Sequence, residues 1–110
     1  MHMHHWLFLS GAILLEVAGT VSMKLSEGFT RPIPSVLLFL FYIASFVFLT
    51  FALKKIDVSS AYTIWAGAGT ALIAIIGILY FNEAITVIKF VSIVLIIIGV
   101  IGLSQDKYSI

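Results

Sequence analysis

Charged residues are so sparse in this chain, and so spaced, that they decide what it can fold into. Between Arg31 and Lys54 lie 22 residues without a charge, and between Asp57 and Glu83 lie 25. Phe90–Gln105 adds a run of 16, and Trp6–Met23 is interrupted only by Glu16. A bilayer core of roughly 30 Å takes about 20 helical residues at 1.5 Å each. Four such runs in 110 residues, 62% of them hydrophobic, leave too little polar surface for a water-soluble domain. The spacing predicts an all-α membrane protein: one integral membrane domain, 1–110, with transmembrane helices near 6–23, 33–53, 58–81 and 86–104. The fourth run is short, about 24 Å as a helix, so Ile88 and its polar neighbours are expected to extend it. No Lys/Arg-rich leader or convincing cleavage site marks the first run, which is expected to stay as a helix of the mature chain.

The connections are short. "KLSEGFTRP" joins the first two spans, with Gly28 suited to positive φ and Pro32 ending the turn; "KKID" and "NEAITVIK" make the others. Loops of this length impose an up-down-up-down path. Lys24, Arg31 and Lys89 then fall on one side and Lys54, Lys55 and Lys107 on the other, so the usual cytoplasmic excess of Lys and Arg cancels. Small counts balance by chance often enough to be the plain explanation. The sharper one is a chain that inserts both ways and pairs into an antiparallel homodimer, since four helices can hardly enclose a polar path and eight can.

A net charge of +1, with no basic run longer than Lys54-Lys55, offers no field for nucleic acid. No cysteine supplies a disulfide or a thiolate metal site, and no GxxxxGK[ST] motif points to ATP. No Ser/His/Asp set is present, so neither an enzyme nor a cofactor is expected. The three His of "MHMHH" could hold a metal weakly, but a loose interfacial end is the stronger reading and no metal site is assigned.

Glu16 is the informative residue. An acid at mid-span costs about 2.5–3.5 kcal/mol on insertion scales, and such groups face a bundle interior or an aqueous cavity. Desolvation penalises the carboxylate, so near neutral pH the site can hold a proton or an organic cation, seldom both. Ala12, Gly19, Thr20 and Met23 share its helical face; the small residues let a backbone or ligand approach, and Thr20 is expected to donate to the carboxylate. The plainer alternative is a protonated Glu gluing helices together in a small assembly subunit.

The third span reads "SSAYTIWAGAG". Tyr62 and Trp65 share a face, Gly69 follows four beyond, and Tyr42 and Ser45 repeat the i, i+3 relation in the second span. Aromatic faces attract organic cations by about 0.5–2 kcal/mol each. Packing or an interfacial belt is the alternative, favoured for Trp6, Tyr80 and Tyr108 near span ends. Gly67 and Gly69 weaken the helix and permit a bend that would serve as a hinge.

With these residues placed, the chain resembles the small multidrug resistance family, particularly its EmrE-like quaternary-cation branch. The resemblance covers nearly the whole sequence, through "GAILLEVAGTVSMKLSEGFT", "PSVLLFLFYIASF" and "SSAYTIWAGAGTALI". It implies a multi-pass protein of the cell (inner) membrane, an antiparallel dual-topology homodimer exchanging protons for cations by alternating access. By that likeness Glu16 would be the shared proton and substrate site. Tyr62 and Trp65 would line the pocket, with Tyr42, Ser45, Gly19, Thr20 and Ala12 nearby, and Gly67 and Gly69 would form the kink. The guanidinium-exporting branch resembles "EVxWA"; Gly19 stands at the Trp position here, which implies a roomier pocket and bulky hydrophobic or quaternary ammonium cations. The family's pair of dimer-contact glycines reads Ser92 and Gly99. Export of guanidinium-like or polyamine metabolites, or a role as one subunit of a paired heterodimer, are the alternatives.

Overall fold

A computed structural model describes residues 3–106. Within them lie four helices: α1 (Met3–Leu25), α2 (Pro32–Ala52), α3 (Val58–Tyr80) and α4 (Val87–Gln105). All four are long and apolar enough to cross a membrane. No expected span boundary lies more than three residues from a helix end. Lys107, Tyr108 and His2 lie outside the described residues.

Two ends differ from expectation for local reasons. His4 and His5 lie in the first turn of α1, so this stretch is helical rather than loose. At α4 the Thr86 hydroxyl accepts from the Lys89 amide at 3.0 Å, capping the helix, so "VIK" belongs to α4 and not to the loop. The Lys89 ammonium folds back onto the Ala84 carbonyl at 2.8 Å. The resulting 19-residue helix spans about 28 Å.

The α1–α2 turn is tighter than a single glycine would make it. Glu27, Gly28 and Phe29 all take positive φ, at 48°, 70° and 67°. Buried Ser26 holds them: its carbonyl accepts from the amides of Thr30 and Arg31, and its hydroxyl accepts from the Phe29 amide. Pro32 opens α2 at a position where its missing N–H costs nothing, behind an extended Arg31.

Helix α1 packs along α2 on one side and against α3 on the other, and α4 lies on the far side of α3. The row is thin, 43 × 35 × 17 Å overall. Its core joins Leu9 and Ala12 of α1, Leu49 and Ala52 of α2, Ile56, and Ala61, Ile64 and Trp65 of α3. Ala12, Ala52 and Ala61 are completely covered, the small residues that let helices approach closely where no hydrophobic effect drives them together. No residue of α4 is buried.

Candidate functional site

Glu16 projects from the middle of α1 towards α3. Its Oε1 is buried and has no hydrogen-bond partner in the protein. The carboxylate occupies the space a side chain on Gly69 would need: a Cβ there would lie 2.7 Å from Glu16 Cδ and overlap Oε1. Gly69 is therefore a seat for the acid. α3 runs unbroken as an α-helix through Gly67 and Gly69, and Gly67 likewise makes room, its missing Cβ falling 2.9 Å from Val100 of α4.

Around the acid, polar side chains tie three helices together. The Ser45 hydroxyl donates to the Ala12 carbonyl at 2.6 Å, and Trp65 Nε1 donates to Ser45 Oγ at 3.1 Å. Ser45 has one hydrogen to give and gives it to Ala12, so it receives the indole N–H, and both groups are satisfied in a buried setting. The Trp65 ring lies 5.5 Å from Tyr62 and 5.7 Å from Phe46, both tilted.

A second relay sits one turn away. Thr20 donates to the Glu16 main-chain carbonyl at 3.0 Å, and its oxygen is 2.6 Å from the Tyr42 hydroxyl. With its only hydrogen used, Thr20 must accept from Tyr42. This corrects the expected bond from Thr20 to the carboxylate: a threonine in a helix reaches the carbonyl four residues back more readily than a side chain on its own face. The room expected at Gly19 is also taken, because a Cβ there would lie 3.2 Å from the Tyr42 ring. Gly19 seats Tyr42 instead of opening the pocket.

The remaining expected residues lie apart from the acid. Tyr62 is exposed and, besides touching Trp65, lines a groove of about 580 Å³ between α3 and α4 with Gly67, Thr70 and Gly99. A Cβ on Gly99 would meet nothing within 4 Å, and Ser92 is exposed on α4. Phe46 went unnoticed in the sequence, although it follows Tyr42 at i+4 and so shares its face.

Three helices packed about a buried acid, with a fourth on their flank and all four fit to cross a membrane, define a multi-pass membrane protein. Comparison with known proteins agrees. The family model described as Small Multidrug Resistance protein matches residues 4–96. The chain is 58% identical over 104 residues to the uncharacterized membrane protein YvaE of Bacillus subtilis (strain 168), covering 94% of this chain and 87% of that one. It is 46% identical over 101 residues to the multidrug resistance protein EbrB of the same organism, covering 92% and 86%. A guanidinium exporter of Escherichia coli (strain K12) shares 39% over 103 residues, covering 94% and 98%. The chain belongs to the small multidrug resistance family, whose members are transporters, and is a multi-pass protein of the cell membrane.

Proposed function

We propose that this protein is a proton-coupled antiporter that exports hydrophobic, aromatic and quaternary ammonium cations by alternating access, with Glu16 as the shared site. The observation that carries the reading is Glu16 Oε1, buried within a membrane span without a hydrogen-bond partner. A buried acceptor left unsatisfied is costly, and in a site like this a proton or a bound cation relieves the cost. Both ligands use the same oxygens, so binding one excludes the other, which is the requirement for exchange. Trp65, fixed by Ser45, and the neighbouring Tyr62 and Phe46 rings supply π faces for an organic cation.

The thin row of helices favours an antiparallel homodimer as the working unit. One chain 17 Å thick encloses no path, and α4, with no buried residue, is the free flank. In a homodimer two Glu16 carboxylates would share the cavity, and Ser92 and Gly99 would lie at the α4 contact.

Export of guanidinium is the second reading, favoured by the 39% identity to a guanidinium exporter. The 46% identity to a multidrug resistance protein favours the first reading over it. The deciding experiment is cation binding to the purified protein across a pH series, with and without E16Q. Affinity for a quaternary ammonium ion is expected to fall as the medium becomes more acid and to drop sharply in E16Q. Affinity indifferent to pH, or unchanged in E16Q, would overturn the antiporter reading. Tighter binding of guanidinium than of an aromatic cation would select the alternative.

A further inference from the structure

A second carboxylate lies against the bundle at the opposite end of α3 from Tyr62. The chain leaves α3 through Phe81 and turns at Asn82, whose φ of 55° is left-handed. This turn brings Glu83 back over the helix, with its amide donating to the Gly77 carbonyl at 3.1 Å. The Glu83 carboxylate fills the recess left by the missing side chain of Gly77; a Cβ there would lie 2.9 Å from Glu83 Cδ and nearer still to Oε1. The arrangement repeats that of Glu16 on Gly69, one acid seated on one glycine of the same helix.

Electrostatically the position is unfavourable for an acid on its own. The C-terminal end of α3 carries the negative pole of the helix, which attracts cations and repels carboxylates. Each of the three basic groups at this end of the molecule contacts something other than Glu83. Arg31 pairs with Glu27 at 2.6 Å, Lys89 donates to the Ala84 carbonyl, and Lys24 lies over the Phe81 ring at 5.9 Å. Among the described residues, no ion pair or hydrogen bond engages the Glu83 carboxylate. It lines, with Lys24, Phe81, Gly77 and Thr20, a pocket of about 230 Å³ between α1 and α3. Thr20, also in its lining, is bonded to the Glu16 main chain.

We propose that this pocket is a peripheral binding site for small quaternary ammonium cations, formed by the Glu83 carboxylate, the Phe81 ring and the C-terminal end of α3. Lys24 is its built-in competitor. The Lys24 ammonium already holds the place on the Phe81 face that an incoming cation would take, so the lysine must swing aside for binding. The site deepens the reading above: it takes the same class of ligand about two turns along α3 from the central acid's seat at Gly69. Its affinity is weak, because Glu83 and Lys24 are exposed and solvent screens their charges.

The test removes the central site first. Tetraethylammonium binding is measured by calorimetry on purified full-length E16Q, then on E16Q/E83Q, E16Q/G77A and E16Q/K24M. Residual saturable binding is expected in E16Q. It should weaken about threefold or more in E16Q/E83Q, which loses the charge, and in E16Q/G77A, which keeps the charge but pushes the carboxylate out of its recess. It should strengthen by about the same factor in E16Q/K24M, a change in the direction that damage to the fold does not produce. Absence of saturable residual binding overturns the proposal, and so does residual binding that ignores all three substitutions or weakens in K24M. Failure of the central-site reading looks different: E16Q alone would keep undiminished affinity.

Discussion

Helices α1 to α3 and helix α4 are equally fit to cross a bilayer, yet they are held in different ways. The first three are tied by side-chain hydrogen bonds running from Ala12 through Ser45 to Trp65 and from Glu16 through Thr20 to Tyr42. Helix α4 has no buried residue and meets α3 through apolar side chains such as Val100 and Ile96 opposite Gly67. Lipid is as apolar as these side chains, so apolar contact alone gives little reason for α4 to choose α3 over acyl chains. The lesson is that span-forming capacity and packing are separate properties. The site is built where polar groups must find partners, and the flank without such groups is left for lipid or a second chain.

The sharpest way to break this contrast is G69A. The added methyl overlaps the Glu16 carboxylate, so the acid must leave its seat. We expect loss of cation transport in reconstituted vesicles and about 1–3 kcal/mol of destabilisation from overpacking. Full transport in G69A would show that the seat is incidental. Next is S45A, which orphans the buried Trp65 N–H and frees the ring. A cost of about 1–3 kcal/mol in unfolding is expected, with weaker cation binding as indole fluorescence reports a more mobile Trp65. Y42F removes only the 2.6 Å bond to Thr20 and keeps the ring on Gly19, so about 0.5–1.5 kcal/mol is the expected loss in the same assay. On the other side of the comparison, G99L meets no atom within 4 Å of its Cβ. The stability of the single chain should then move by less than about 1 kcal/mol, while cross-linking of paired chains falls. A large loss of single-chain stability in G99L would show that α4 is part of the packed bundle after all.

How much of this was legible in advance varies with the residue. Ala12, Ser45 and Trp65 announced themselves through helical spacing, because residues three or four apart share a face whatever the tertiary structure. Spacing could not say what the shared face would touch. Thr20 was assigned to the carboxylate and bonds the carbonyl; Gly19 promised space that Tyr42 fills; Gly67 and Gly69 suggested a bend and make room for Val100 and Glu16. Each of these concerns what fills a gap, which spacing alone leaves open. In three of them the filling atom comes from another helix, beyond the reach of any local pattern. Glu83 is the same case, since Asn82 in a left-handed conformation turns a loop residue back onto Gly77.

Taken alone, the order of amino acids decided that there are four spans, where they stop, and that one acid lies inside the first. These follow from run length and local solvation, which each segment meets by itself in a bilayer. Which oxygen of that acid is left without a partner, and which glycine seats it, was decided only when residues 20 to 53 positions apart were brought together. Those outcomes depend on how closely two backbones approach, a distance set by small residues on both helices and visible in neither one separately.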